Sequence, residues 1–156
     1  MTNIDQLTYT FQYQPKDGVN FIETAWYYLS PFSAHEVELN GVVHKTAEHA
    51  YQTLRMLPEV QVEVSRMRSP MDAWRKAQEL KQAGKLDLDC DKYQLMEEIF
   101  RAKLEQHSDI RKVLVDSGDL ELLKVYDTDY YWGSGADGSG ENNMGKLWMK
   151  LRDELQ

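Results

Sequence analysis

The sequence predicts a mainly α-helical protein with a small β-hairpin near the N-terminus. Asn40-Gly41 separates two short β-prone runs, Val37–Leu39 and Val42–His44, and both turn residues tolerate a positive φ, which is typical of a hairpin. Beyond the hairpin, apolar residues recur at helical spacing behind capping residues. The clearest apolar stripe consists of Met144, Leu147, Trp148, Leu151 and Leu155. No βαβ repeat of the Rossmann or P-loop type is present in the sequence.

The first helix is predicted directly after the hairpin. Thr46 can cap its N-terminus, and Pro58 should end it. A polar stripe runs along this helix, because Glu48, Gln52 and Arg55 stand at positions i, i+4 and i+7. The apolar stripe beside it is formed by Ala47, Ala50, Tyr51, Leu54 and Leu57. The spacing therefore predicts a helix with one apolar face and one polar face.

Further capping signals follow in the middle of the chain. Ser69-Pro70 indicates the start of a helix, and Gly84 is a plausible end. Asp91 and Ser108 can each cap another helix, and Gly118 can close the second of these. The pattern allows either a strand or a helix in two segments, Val60–Val64 and Leu120–Tyr126.

Length and composition fit a single domain that spans residues 1–156. No apolar run approaches the ~20 residues needed to cross a bilayer, and the first residues lack the basic and apolar regions of a secretory signal. Cys90 is the single cysteine, so an intramolecular disulfide cannot form, which suits a reducing compartment. We therefore expect a cytoplasmic protein with no membrane partner, whose oligomeric state the sequence does not indicate.

The charge is acidic overall but uneven along the chain. A formal net charge of −8 argues against binding nucleic acid through the overall field. The segment 66–85 nevertheless holds six basic residues against two acidic ones. Such a run is usually a solvated helix face, and the alternative is a basic rim that contacts the phosphates of DNA.

Three segments could carry chemistry, the first of which is Glu48-His49 in the first turn of the predicted helix. The positive end of a helix keeps a carboxylate ionised. The alternative is that Glu48 only complements the helix end, and a single histidine beside an apolar stripe is usually structural. No histidine pair at ligand spacing and no cysteine pair is present, so no metal site is predicted.

The other two segments precede the last helix. Between Asp127 and Gly135, acidic residues are followed by aromatic residues and then by glycines, which suits a planar base and a phosphate. The alternative is an aromatic corner of the core followed by a flexible loop. Gly138–Gly145 then runs into the helix, where free backbone N–H groups would bind an anion, although glycine-rich loops before helices are common.

Taken in order, these segments resemble the NADAR or YbiA-like family from about Phe21 to Leu155. The resemblance is carried by "LSPF", "GVVHKTAEHAYQ", "FRAKLEQHSDIRKVLV" and "DYYWGSGADGSGENNMGKLWMKLRDEL". The family's glycine signature is present as Trp132, Gly133, Gly135, Gly138, Gly140, Asn142, Met144 and Gly145. Its Thr-x-Glu-His element is present as Thr46, Glu48 and His49, with Gln52 following. The resemblance implies a mainly helical YbiA-like fold.

The resemblance also implies an N-glycosidase that hydrolyses the ribosyl C–N bond of a phosphorylated ribosylated base. The substrate is a riboflavin-pathway intermediate in one branch of the family and ADP-ribosylated guanine in nucleic acid in another. No cofactor is required. The alternative from a different class is a non-catalytic module that binds ADP-ribose or NAD as a sensor.

Within this reading, Glu48 stabilises the oxocarbenium-like transition state or activates water, and Asp129 is the second catalytic candidate. Trp132 is expected to be exposed and to stack on the base or flank the sugar. The remaining residues expected to bind substrate are Ser30, Phe32, His49, Gln52, Arg55, Gly133, Gly135, Gly138, Gly140 and Asn142.

Several positions depart from the family pattern. Ser30-Pro31-Phe32 replaces Ser-Asn-Phe, and His44 replaces an aromatic residue. Arg55 keeps the charge of the family's lysine but alters its geometry. Leu88 and Lys124 stand where the family has tryptophan and glutamate, and these changes leave both substrate branches open.

Overall fold

Helices dominate the computed structural model, which describes Tyr13, residues 18–22 and residues 24–156. The α-helices are α1 (Ala47–Leu54), α2 (Gln61–Ser65), α3 (Pro70–Gln82), α4 (Lys92–Gln106), α5 (Ser108–Asp116) and α6 (Asn143–Glu154). The strands are β1 (Gly18–Asn20), β2 (Val37–Leu39), β3 (Val42–His44) and β4 (Glu121–Leu123), and 3₁₀ helices cover Thr24–Leu29 and Pro58–Val60. The mainly α prediction is therefore confirmed. Among the described residues, no helix combines the length and apolar character needed to cross a membrane.

The chain divides into two compact units. One consists of the described residues up to Ser30 together with Asp109–Gln156, and the other of Pro31–Ser108. The single domain spanning residues 1–156 stays a prediction.

The predicted hairpin is confirmed in the Pro31–Ser108 unit. β2 and β3 pair antiparallel with Val37 opposite His44 and Leu39 opposite Val42. Asn40 and Gly41 have φ values of 50° and 79°, the left-handed conformation that a two-residue hairpin turn requires. The side-chain amide of Gln106, at the end of α4, accepts from Glu38 N at 2.9 Å and donates to Glu38 O at 2.8 Å, which ties the hairpin to α4.

The first helix begins where predicted but ends early. Thr46 Oγ accepts a hydrogen bond from His49 N at 3.1 Å and caps α1. The prediction that the helix continues to Leu57 was wrong, because α1 ends at Leu54. Beyond that point Leu57 N donates to Lys85 O and Asp87 N donates to Arg55 O, so pairing with a distant segment replaces the helical hydrogen bonds.

The ambiguous segment Val60–Val64 is helical, not extended. Val60 and Val64 are buried because their spacing of four places both on one face of a helix. They enter a core cluster that consists of Met56, Val60, Val64, Ala73, Ala77 and Leu80. The predicted caps of the two following helices are confirmed, with Ser69 Oγ accepting from Asp72 N and Asp91 Oδ1 accepting from Tyr93 N and Gln94 N.

The other unit is built around α6 and a parallel pair of short strands. β1 pairs with β4 in the register Gly18 to Glu121, which resolves the ambiguous Leu120–Tyr126 segment as partly extended. Of the predicted apolar stripe, Met144, Leu147, Trp148 and Leu151 are buried on α6, whereas Leu155 lies just beyond the helix and is partly exposed. Trp148 Nε1 donates to Leu29 O at 2.8 Å. The unit thus holds the glycine-rich loop between β4 and α6.

Candidate functional site

The polar stripe of α1 forms a chain of hydrogen-bonded side chains. Glu48 is 6% exposed, and its backbone N–H donates to Pro31 O at 3.0 Å. Gln52 Nε2 donates to Glu48 Oε1 at 2.8 Å, and Arg55 Nη1 lies 3.5 Å from Gln52 Oε1. The predicted spacing therefore brings three of the expected site residues into mutual contact.

Arg55 forms the outer end of this chain. Its guanidinium carbon lies 4.8 Å from the centre of the Tyr51 ring, a cation–π distance that holds the long side chain against the helix. Arg55 is only partly buried, whereas Glu48 and Gln52 are buried. The α1 polar face thus runs from a buried carboxylate to a solvent-accessible cation, an arrangement that can hold a substrate with a positively charged transition state and an anionic group.

His49 is fixed inside the protein through both ring nitrogens. Nδ1 lies 2.8 Å from Thr46 Oγ, and Nε2 lies 2.8 Å from Met67 O. Burial lowers the pKa of His49 and outweighs the Met67 hydrogen bond, while the nearby Lys45 charge lowers it further. A neutral ring with Nε2–H donating to Met67 satisfies both contacts. These contacts favour a structural role for His49, and its predicted contact with substrate stays a prediction.

A cavity of about 400 Å³ lies beside the hairpin in the same unit. Apolar side chains of the hairpin, α1, α2 and the turn before α2 line it together with as many polar ones, among them His44 and Thr53. None of Glu48, Gln52 and Arg55 lines this cavity. Its position therefore does not identify the α1 polar face as a binding site.

A buried polar cluster in this unit was not predicted from the sequence. Lys103 is fully buried on α4, and its Nζ donates to Ser33 Oγ at 2.7 Å. Ser33 Oγ also lies 2.9 Å from His35 Nδ1. The sequence does hold a sign of this cluster, because Lys103 falls on the same helical stripe as Met96, Ile99 and Phe100. A charged residue on a core face indicates a buried partner.

In the other unit, Asp129 is held by an ion pair and by the loop backbone. Lys124 Nζ lies 2.6 Å from Asp129 Oδ2, and Trp132 N donates to Asp129 Oδ1 at 2.8 Å. Burial alone would raise the pKa of Asp129, but the Lys124 charge and hydrogen bonds from Lys124, Trp132 and Tyr131 lower it overall. Asp129 is therefore a stably ionised carboxylate that organises the loop, which makes it a weak base.

Asn142 uses its side chain to bind the edge of β4. Its Nδ2 donates to Leu122 O at 3.0 Å and its Oδ1 accepts from Lys124 N at 3.0 Å. The residue adopts a left-handed conformation with φ of 50°, which asparagine tolerates better than most residues. The amide thus joins the loop to the strand, and its predicted contact with substrate is untested.

The glycine-rich loop folds tightly on itself. A Cβ at Gly140 would lie 2.6 Å from the Ser134 carbonyl carbon and would also overlap Gly133 O. The N–H groups of Asn143 and Met144, at the start of α6, donate to Tyr131 O and Trp132 O at 3.2 Å. These two amides are therefore engaged within the loop, which counts against them as the ligands of a bound anion.

Trp132 is buried, so the expectation that this tryptophan is exposed was wrong. Its side chain is 7% exposed and meets Tyr131 edge-to-face, with ring centroids 4.8 Å apart. Tyr126, just before this segment, and Tyr130 within it are exposed, at 42% and 47%. The backbone of Trp132 is held as well, since its N–H donates to Asp129 Oδ1 and its C=O accepts from Met144 N at the start of α6.

Comparison with known proteins decides the family. The NADAR domain profile matches residues 13–156. The chain belongs to the NADAR family. It is 34% identical to the N-glycosidase YbiA of Escherichia coli over 140 residues, which cover 88% of each chain. An N-glycosidase of Nostoc punctiforme is 30% identical over 82% of this chain and 85% of its own. The predicted membership of an N-glycosidase family is therefore confirmed.

Structural comparison supports the same assignment for this NADAR protein. The NMR structure of Escherichia coli YbiA matches with a TM-score of 0.78 and 30% identity, covering 97% of this chain and 90% of the other. The predicted YbiA-like fold is confirmed. A riboflavin biosynthesis protein of Vibrio vulnificus is 29% identical over 92% of this chain, which spans only 38% of that longer protein.

Two further residues predicted to bind substrate, Ser30 and Phe32, and the basic 66–85 segment make few contacts that indicate a function. Ser30 is 4% exposed, with its N–H donating to Tyr27 O, and Phe32 is partly buried. In the 66–85 segment, three of the basic side chains lie near acidic partners: Arg75 with Asp72, Lys76 with Glu79 and Lys85 with Glu59. These exposed pairs reduce the charge available to DNA, whose contact with this segment is untested.

Proposed function

We propose that this NADAR protein hydrolyses the ribosyl C–N bond of a phosphorylated ribosylated base, with Glu48 as the catalytic carboxylate. The observation that carries the proposal is the hydrogen-bonded chain from the buried Glu48 and Gln52 of α1 to the partly exposed Arg55 at its C-cap. Relatives that cover most of the chain are named N-glycosidases, which supports the bond type. Gln52 orients the carboxylate, and Arg55 contacts the phosphate of the substrate.

The chemistry follows from what develops in the transition state. As the bond between C1′ and the base nitrogen breaks, positive charge builds on the ribose ring. The ionised carboxylate of Glu48 stabilises this charge or accepts the proton of the attacking water. The water oxygen becomes the C1′ hydroxyl, the electron pair of the broken bond stays on nitrogen, and the water proton ends on the released base.

Asp129 is a weaker catalytic candidate than Glu48 because its carboxylate is already engaged by an ion pair and by the loop backbone. Glu48 accepts from a neutral amide on its own helix, and the first turn of α1 favours its ionised form. Asp129 is neutralised by Lys124 at 2.6 Å. We therefore assign the chemical step to Glu48 and loop organisation to Asp129.

For the substrate, the names of relatives favour a riboflavin-pathway intermediate. Riboflavin biosynthesis proteins of Vibrio vulnificus and Zea mays contain regions similar to this chain. Such a substrate is small and phosphorylated, which suits the partly exposed Arg55. ADP-ribosylated guanine in DNA is the second candidate, favoured by the basic 66–85 segment as a docking rim. Cys90 as the single cysteine supports a cytoplasmic site of action.

The deciding experiment is a turnover assay on Glu48→Gln beside the wild type. The ribosylaminopyrimidine phosphate and an ADP-ribosylated guanine oligonucleotide are supplied separately, and the released base is measured. We expect kcat on the true substrate to fall by about 10²–10⁴-fold, with an unchanged melting temperature.

The matched control is Glu63→Gln, which alters an exposed carboxylate on α2 and should turn over like the wild type. Normal turnover by Glu48→Gln would remove the catalytic assignment. Substrate binding without any base released by the wild type would instead establish the sensor alternative.

A further inference from the structure

Two histidines that are distant in the sequence meet in the Pro31–Ser108 unit. The ring centroids of His35 and His107 lie 4.9 Å apart, with the ring planes at 79°. One ligand nitrogen from each ring lies within 4.8 Å of the other. His35 is 9% exposed, and His107 is partly buried just beyond the last residue of α4. The pair lies outside the set of residues assigned to hydrolysis.

The contacts of His107 leave one defined nitrogen for a ligand. Its Nε2 lies 2.6 Å from the backbone oxygen of Glu36, and a carbonyl oxygen can only accept a hydrogen bond. Nε2 therefore carries the proton. In the neutral ring the lone pair then lies on Nδ1, so the backbone contact selects the tautomer that can bind a metal ion.

The Ser33 contact of His35 is compatible with the complementary tautomer. Its Nδ1 lies 2.9 Å from Ser33 Oγ, which already accepts from the fully buried Lys103 Nζ at 2.7 Å. A hydroxyl oxygen has two lone pairs, so it can also accept from a protonated Nδ1 of His35. Nε2 then carries the lone pair, and a hydrogen bond from the other ring nitrogen is the support that metal-binding histidines require.

We propose that His35 and His107 bind a divalent transition-metal ion of the zinc class, with water molecules completing its coordination. Imidazole nitrogen is a preferred ligand of such ions. Two nitrogens at about 2.0–2.1 Å from one tetrahedral ion lie roughly 3.3 Å apart, which falls inside the 4.8 Å within which the ligand atoms of the pair lie. With two protein ligands from this pair, the site binds more weakly than a four-ligand structural zinc site.

The bound ion would cross-link two elements that already touch. His107 follows α4 directly, and His35 precedes β2, whose Glu38 is held by Gln106 through two hydrogen bonds. An ion that binds the folded chain more tightly than the unfolded chain raises the melting temperature. Metal binding would therefore stabilise the junction between the hairpin and α4.

The test is zinc titration of the full chain after chelator treatment, followed by calorimetry and thermal melting. We expect one saturable equivalent of zinc, a raised melting temperature with zinc, and neither effect with magnesium, which prefers oxygen ligands. His35→Gln and His107→Gln should each weaken zinc binding at least about tenfold. Ser33→Ala should weaken it by about 10–100-fold through the supporting hydrogen bond.

Two control variants test whether zinc binds to another cysteine or histidine instead of to His35 and His107. Cys90→Ser removes the single thiol, and His44→Gln removes another histidine of the same unit; both should retain the wild-type affinity. Zinc binding that survives in the His35→Gln/His107→Gln double variant, or that is absent from the wild type, overturns the proposal. Neither result affects the hydrolase assignment, because these variants leave the α1 polar face intact.

Discussion

The α1 polar face and the glycine-rich loop before α6 were both expected to contact substrate, yet their residues are used differently. On α1, Glu48, Gln52 and Arg55 bond to one another through side chains. In the loop, Asp129 and Asn142 use their side chains to satisfy backbone groups. The first region is an array of side chains, whereas the second is a backbone structure supported by side chains.

The difference has a simple physical cause. A helix satisfies its own internal N–H and C=O groups, so polar side chains on its surface remain available for chemistry. An irregular loop must satisfy each buried backbone group in another way. The signature residues of the loop are therefore needed for the loop to fold. Substitutions there should lower the free energy of unfolding more than they lower catalytic activity.

Gly140→Ala should have the largest effect on stability. The added Cβ overlaps Gly133 O and the Ser134 backbone, and overpacking of this kind costs about 3 kcal/mol. Urea unfolding monitored by circular dichroism measures the free energy of unfolding. Gly84→Ala is the control, because a Cβ there meets nothing within 4 Å and only the φ of 75° is strained, at about 1 kcal/mol. Equal losses in the two variants would contradict the tight packing of the loop.

Arg55→Lys should affect activity without affecting folding. If Arg55 contacts the substrate phosphate, replacing its planar fork with a point charge should raise KM about tenfold, roughly 1.4 kcal/mol, and leave kcat within about twofold. Loss of the contact with Tyr51 should cost less than about 1 kcal/mol of stability. Steady-state kinetics measure the effect, with Arg75→Lys on the exposed face of α3 as the control. An unchanged KM removes Arg55 from substrate binding.

Asp129→Asn should give the smallest effect, visible in the pH dependence of stability. The Lys124 ion pair and loop hydrogen bonds lower the pKa of Asp129 despite its burial. Its stabilising contribution is therefore present above the unfolded carboxyl value of about 3.9 and is lost as the pH falls through the lower folded pKa. The wild type should lose more stability on acidification than Asp129→Asn, by about 1 kcal/mol.

Unfolding free energies at several pH values between about 2 and 7 measure this difference. Asp119→Asn, an exposed position in the same unit, should show the wild-type dependence. Parallel curves for wild type and Asp129→Asn would show that the ion pair with Lys124 contributes nothing to the loop.

The sequence alone predicted those elements that depend on residues close together in the chain. The Asn40-Gly41 turn, the Thr46 cap and the stripe of α6 each depend on neighbouring positions, so the hairpin and these helix starts were predictable. The contact between Glu48 and Gln52 was predictable for the same reason, because residues four apart on a helix are neighbours.

Tertiary structure decided whatever depends on a distant partner. α1 ends at Leu54 because the chain beyond it pairs with the segment around Leu86, and β4 is a strand because Gly18–Asn20 lies beside it. His35 meets His107, and Lys103 reaches Ser33, only after the chain folds. Periodicity describes which face a residue occupies, but it carries no information about which distant side chain lies opposite that face.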